Sequence, residues 1–135
     1  MSAFKILDGA MGSELIRRGM ELPEHIWSAA ANLINPELVL EIHREYVDAG
    51  ADYITANTFR TTPRTFGKID GLVTECSSQA LPRDVEVNKK ETVIKSRESL
   101  FTAVELAKEV ASNSVKVLGS IASLEDCYSP ELFPG

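Results

Sequence analysis

The stretch "INPELVLEIHREYVDAGADYITANTF", residues 34–59, narrows the choice of fold more than any other part of the chain. Asn35 offers a side-chain oxygen to cap a helix. Pro36 suits the first helical position, where its missing N–H would be unpaired anyway, and Glu37 complements the positive end of the helix dipole. Leu38, Val39, Ile42, Tyr46 and Ala49 then recur at three- and four-residue spacing, which leaves Glu41, Arg44, Glu45 and Asp48 for water. Gly50 can end the helix in the left-handed conformation. Beyond it, Tyr53, Ile54, Thr55, Thr58 and Phe59 favour a strand, and a shorter apolar run, "FKILD" at residues 4–8, reads as a strand before the helix. Strand, helix and strand in that order make a βαβ unit with parallel strands.

The remaining segments extend this unit. Asp8-Gly9 turns the chain out of the first strand, and Gly12 with Ser13-Glu14 starts a helical turn that Gly19 closes. The segment around "MELPEHIWSAAANLI" reads as a packed connection with Trp27 buried as an anchor. Residues 60–90 carry Pro63, Gly67, Gly71 and Pro82 without a clean period, which predicts loops with one short helix. A second amphipathic helix is expected from about Thr92 to Ala111, with Ile94, Leu100, Phe101, Val104, Ala107 and Ala111 on one side and Asn113 near its end. "VKVLGSIAS" reads as a third strand and "LEDCYSPELFPG" as a loop. The order β, α, β, α, β places the chain in the α/β class.

Composition excludes several functions. The 135 residues are 44% hydrophobic and 25% charged, as expected of one globular domain. A net charge of −6 with 14 scattered basic residues argues against nucleic-acid binding, which needs clustered cations. No run approaches the roughly 18 apolar residues of a membrane span, and the N-terminus lacks a basic stretch followed by a long apolar core, so a cytoplasmic protein is expected. Cys76 and Cys127 read as reduced thiols.

Three strand ends carry polar or small residues: Asp8-Gly9, Asn57-Thr58 and Gly119-Ser120. Ligands of parallel α/β folds sit at the carboxyl ends of strands, so these residues are expected to converge on one site. Asp8 could hold an ammonium, and backbone N–H groups around Gly9 and Gly12 a carboxylate or phosphate, a combination suited to a zwitterionic amino acid. A purely structural alternative stands beside this one, since Asp8-Gly9 is also a common strand-to-helix turn. Asn57, if buried, must find partners within the fold. His25 and His43 have no metal-binding residue three or four positions on and read as ordinary surface or helix residues. No histidine near Cys127 makes it a nucleophile, and "DGAMG" matches neither the dinucleotide fingerprint nor the P-loop. No catalytic residue and no metal ligand is assigned.

The blocks "LDGAMGSEL", "IWSA", "NPELVLEIHREYVDAGADYITANTFRTTP" and "VLGSIASLEDCYSPEL", in this order and spacing, resemble the N-terminal part of the homocysteine S-methyltransferase family. That family includes the homocysteine-binding domain of methionine synthase and betaine-homocysteine methyltransferase. The resemblance implies that residues 1–135 form part of a homocysteine-binding domain, about three βα units of a (β/α)8 TIM barrel. In such a barrel zinc binds the homocysteine thiolate, which takes a methyl group from a donor to give methionine. Asp8 would bind the amino group of homocysteine, Gly9 would offer backbone to its carboxylate, and Asn57 with Thr58 would line the pocket. The family's zinc ligands are cysteines of late strands, two of them in a Gly-Gly-Cys-Cys motif that this sequence lacks. The chain is therefore expected to be the amino-acid-binding portion of a methyltransferase, inactive alone and prone to self-association or to pairing with the rest of the barrel. A non-catalytic amino-acid-binding or assembly module, a half-barrel, is the alternative.

Overall fold

Parallel backbone segments lie side by side in the computed structural model, which describes residues 4–68, 89–112 and 114–123. Strand β1, Tyr53–Thr55, pairs in parallel with β2, Lys116–Leu118, in the register Tyr53 to Lys116, Ile54 to Val117 and Thr55 to Leu118. On the other side of β1 the expected first strand is reduced to a single parallel bridge, Leu7 to Tyr53. Its place is held by specific bonds instead of a ladder. The Asp52 carboxylate accepts from Ile6 N and Lys5 Nζ, and Asp8 N donates to the Tyr53 carbonyl.

Helix α1, Met11–Arg17, follows the Asp8-Gly9 turn and ends where Gly19 takes a φ of 85°. A 3-10 turn at Trp27–Ala30 runs into the one-turn helix α2, Ala31–Ile34. Helix α3, Pro36–Asp48, begins as its sequence predicts. Asn35 Oδ1 accepts from Leu38 N at 3.2 Å, Pro36 opens the helix, and Gly50 follows it with a φ of 100°. Helix α4, Pro63–Phe66, is the short helix expected after residue 60, capped by Thr62. Helix α5 runs Lys89–Val110 and leads to β2. No helix among the described residues is long and apolar enough to cross a membrane.

The core lies between this sheet and α3 with α5. Ile54 of β1 is fully enclosed with Ala51, Ala56, Ala107 and Val115, and Tyr46 and Val47 of α3 pack against them. A second cluster joins α1 to α3 through Leu15, Val39 and Ile42. Burying each of these large side chains contributes about 1.5–3 kcal/mol. Arg18, at the end of α1, reaches Glu41 and Glu45 on the outer side of α3.

Three expectations about burial fail. Trp27 is not an anchor: it is 40% exposed, with a φ of 46° that bulky residues rarely adopt. Helix α5 buries Ser96, Ser99, Ala103 and Ala107, while Ile94 and Phe101, expected on its inner side, are 54% and 60% exposed. Periodicity marked the apolar residues as the inner stripe, but the inner positions went to small and hydroxyl-bearing side chains. These let α5 approach α2 and the Trp27–Ala30 turn closely enough for Ser99 to bond the Ala29 carbonyl. Ala49, just past the end of α3, is likewise exposed, and His43 is buried in its stead. The expected loop at 124–135, Asn113, Cys76 and Cys127 lie outside the described residues.

Candidate functional site at the strand ends

The strand ends are joined by side chains that the strands themselves position. Asp8, one residue after the Leu7 bridge, sends its carboxylate across to β1, where Oδ2 accepts from Thr55 N at 2.7 Å and Oδ1 from Thr55 Oγ1 at 2.9 Å. Thr58 makes the equivalent link on the other side. Its hydroxyl donates to the Ser120 carbonyl at 2.7 Å and accepts from Ser120 N at 2.9 Å. The ends expected to converge are thus bonded in sequence, Asp8 to Thr55 and Thr58 to Ser120.

Asn57 is 5% exposed and its amide is engaged within the fold. Nδ2 donates to the Ser28 carbonyl at 2.7 Å and to Asn32 Oδ1 at 2.9 Å. Asn32, itself buried, donates from Nδ2 to the Asn57 carbonyl and to Ser99 Oγ, both at 3.0 Å, and Ser99 Oγ donates onward to the Ala29 carbonyl. Because backbone carbonyls can only accept, the orientation of both amides is fixed. This network ties β1 to α2, to the Trp27–Ala30 turn and to α5. Sequence reasoning found Asn57 but not Asn32, Ser99 or Thr55. Asn32, Ser99 and Thr55 are ordinary residues of helix and strand until the fold brings them together.

Gly9 has a role that only the structure reveals. A Cβ there would lie 2.6 Å from Tyr46 Oη and 2.8 Å from Tyr46 Cε1, so the ring of α3 occupies the space a side chain would need. The Tyr46 hydroxyl also reaches the Ala10 carbonyl at 3.4 Å. Gly9→Ala should therefore cost about 1–3 kcal/mol through overpacking. Combining it with Tyr46→Leu should recover much of that loss in a double-mutant cycle read by urea unfolding.

His43, on the inner side of α3, is fully enclosed. Burial pushes its imidazole below the ordinary 6.5, against a smaller upward pull from Asp8. The neutral ring is the folded form, so the unfolded chain binds the extra proton as pH falls below 6.5. Stability from this residue is present above that value and lost on acidification through it. Unfolding midpoints should fall between pH 7 and pH 5.5 in the native chain and stay flat over that window in His43→Leu. Carboxylates held low by partners, Asp52 by Lys5 and Glu14 by Arg17, act only in a more acidic range.

Among the described residues no group of three or more His, Cys, Asp or Glu could hold a metal ion, so they do not fit a zinc site.

The sequence profile of the homocysteine S-methyltransferase family matches residues 5–135. A homocysteine S-methyltransferase of Escherichia coli (strain K12) is 34% identical over 116 residues, covering 86% of this chain and 34% of that protein. A selenocysteine Se-methyltransferase of Brassica oleracea var. italica is 34% identical over 84 residues, covering 62% of this chain and 24% of that protein. The crystal structure of an Escherichia coli homocysteine methyltransferase in a metallated form superposes with a TM-score of 0.54 at 30% identity, covering 91% of this chain and 39% of that one. The chain spans about a third of the length of the first of these curated relatives.

Proposed function

The chain belongs to the homocysteine S-methyltransferase family, and on that premise we propose that it forms the amino-acid-binding side of an enzyme that methylates the thiol of homocysteine to give methionine. Asp8 receives the substrate ammonium, Gly9 offers backbone to its carboxylate, and Asn57 with Thr58 holds the wall of the pocket. The observation that carries this reading is the linked row of strand ends, Asp8 to Thr55 and Thr58 to Ser120, at the edge of the sheet where parallel α/β folds bind ligands. Asp8 keeps acceptor capacity for an ammonium, since two carboxylate oxygens offer about four lone-pair sites and Thr55 takes two.

In this reading the chain is the first part of a (β/α)8 barrel. Apolar surface on both layers supports it. Leu7 and Leu118 in the sheet are 57% and 40% exposed, and Ile94 with Phe101 lies open on α5, as expected where further βα units would pack. The metal that family members use would be held by sequence corresponding to the other two thirds of the relatives, and it would supply a homocysteine thiolate at neutral pH. This chain's own residues bind and orient the amino-acid end.

Calorimetric titration of the 135-residue chain with homocysteine tests the binding half of the proposal. Binding that needs no metal and is lost in Asp8→Ala is the expected result. Assay for methionine formation should be negative for the chain alone, and positive with zinc when the missing βα units are joined to it. Metal-dependent turnover by the 135 residues alone would overturn the division of labour. Binding without turnover in the longer protein would favour an amino-acid-binding module.

A further inference from the structure

Pairing between residues 6–8 and β1 stops one bond short, and the Asp8 side chain is what stops it. Tyr53 N donates to the Ile6 carbonyl at 3.1 Å, and Asp8 N donates to the Tyr53 carbonyl at 2.9 Å. Bonds of a parallel ladder advance evenly along both strands, so the next would run from Thr55 N to the Asp8 carbonyl. Thr55 N goes instead to Asp8 Oδ2 at 2.7 Å, and Thr55 Oγ1 donates to Asp8 Oδ1 at 2.9 Å. One residue therefore supplies a donor to each carboxylate oxygen. Holding the segment in place does not need the second of them. The Ile6 carbonyl also accepts from Asp52 N, and the Asp52 carboxylate accepts from Ile6 N, both at 2.8 Å, so bonds at Ile6, Asp52 and Tyr53 already fix the path of residues 6–8. What they leave open is rotation of the Asp8 carboxylate about its last torsion, which is broad for aspartate. The Thr55 hydroxyl closes that freedom. It does so where a ligand can reach. Ile54 points into the core with the helices, so Thr55 lies on the opposite face of the sheet, beside Leu118 in register, and Asp8 and Thr55 are both half-buried.

We propose that Thr55 is a positioning residue for Asp8, its N–H and hydroxyl pinning both carboxylate oxygens so that the charge meets the substrate ammonium in one orientation. The proposal rests on the reading of Asp8 as the ammonium site. Each oxygen keeps an acceptor site after Thr55 is served. A carboxylate that is already held loses little freedom when the ammonium arrives, and that saving is expressed as affinity. Threonine is suited to the task by its hydroxyl alone. Valine would keep the branched shape and the strand preference while leaving Oδ1 without its donor.

Carbon-13 spectra and homocysteine titration of the 135-residue chain test the link and the role separately. The Asp8 carboxyl resonance should move in Thr55→Val and return close to its native position in Thr55→Ser. A carboxyl carbon that does not respond to Thr55→Val overturns the proposal whether or not any ligand binds. Thr55→Val should bind homocysteine about tenfold more weakly with little change in the urea midpoint, and Thr55→Ser should recover to within about threefold of the native chain. In an Asp8→Asn background the same Thr55→Val change should alter affinity by less than about twofold, since no carboxylate is left to orient. Retained affinity in Thr55→Val overturns the positioning role, and so does an equal loss with and without the Asp8 carboxylate. Affinity that falls only in step with stability reduces the residue to a strand tie and overturns it as well. If the native chain binds no homocysteine while the carboxyl shift is present, the substrate reading fails, the role in binding fails with it, and the bond from Thr55 to Asp8 stands.

Discussion

Replacing Asn57 by alanine should lower the free energy of unfolding by about 2–4 kcal/mol, and replacing it by aspartate should lower it further. Alanine removes the donor that serves both the Ser28 carbonyl and Asn32 Oδ1, leaving two acceptors without it in a region where Asn32 and Ser99 are as enclosed as the aliphatic core. Aspartate keeps the shape but presents a carboxylate oxygen where Nδ2 stood, facing those same two acceptors. The near-isosteric change is therefore the worse one, the reverse of what size alone predicts. Urea unfolding of the three proteins gives the order directly. An aspartate variant as stable as the native chain would mean that the network does not hold the strand end in solution. Asn32→Leu should cost a similar amount, and the two losses should fall short of additive because both remove the bond from Asn57 Nδ2 to Asn32 Oδ1.

That network also explains where sequence reading stops. Helix α3 was legible from end to end because its signals are local: a capping Asn35, Pro36 at the start, Gly50 in the left-handed region at the end. The parallel pairing of β1 with its neighbours followed from element order. Asn57 stood out because asparagine is unusual in a strand and needs partners when buried, and it has them. Its partners were not legible, since Ser28 and Asn32 lie 29 and 25 positions earlier and nothing local marks them. For the same reason the inner side of α5 was misread. Hydrophobic periodicity ranks residues by polarity, whereas the buried positions here are set by how closely α5 must approach α2 and by the bonds Ser99 makes there. Trp27 was misplaced through its size, which predicts burial, while its left-handed backbone leaves the indole partly in water.

Of the four residues assigned to the site from sequence, each has a structural task in the fold. Asp8 ties the first segment to β1, Gly9 makes room for Tyr46, Asn57 anchors the buried network, and Thr58 joins β1 to the end of β2. Structural and substrate-binding roles need not compete, because a group that contacts substrate must be held by something. The two roles can be separated where a substitution removes one and keeps the other, and Asp8 allows this.

Asp8→Ala should lose both functions: about 2 kcal/mol of stability as Thr55 N and Oγ1 lose their charged acceptor, and a comparable loss in homocysteine affinity, about thirtyfold. Asp8→Asn should separate them. The amide oxygen still accepts from Thr55 N, and the amide nitrogen can donate to Thr55 Oγ1, so stability should fall by less than about 1 kcal/mol. The charge that receives an ammonium is gone, and the donor now faces the cation, so affinity should fall as far as in the alanine variant. Calorimetry and urea unfolding on the same preparations read the two quantities. Affinity that follows stability through both variants would make Asp8 a strand tie and nothing more. Affinity lost in both while stability is lost only in alanine requires the carboxylate charge itself, and so places the amino end of the substrate at the turn that begins with Asp8.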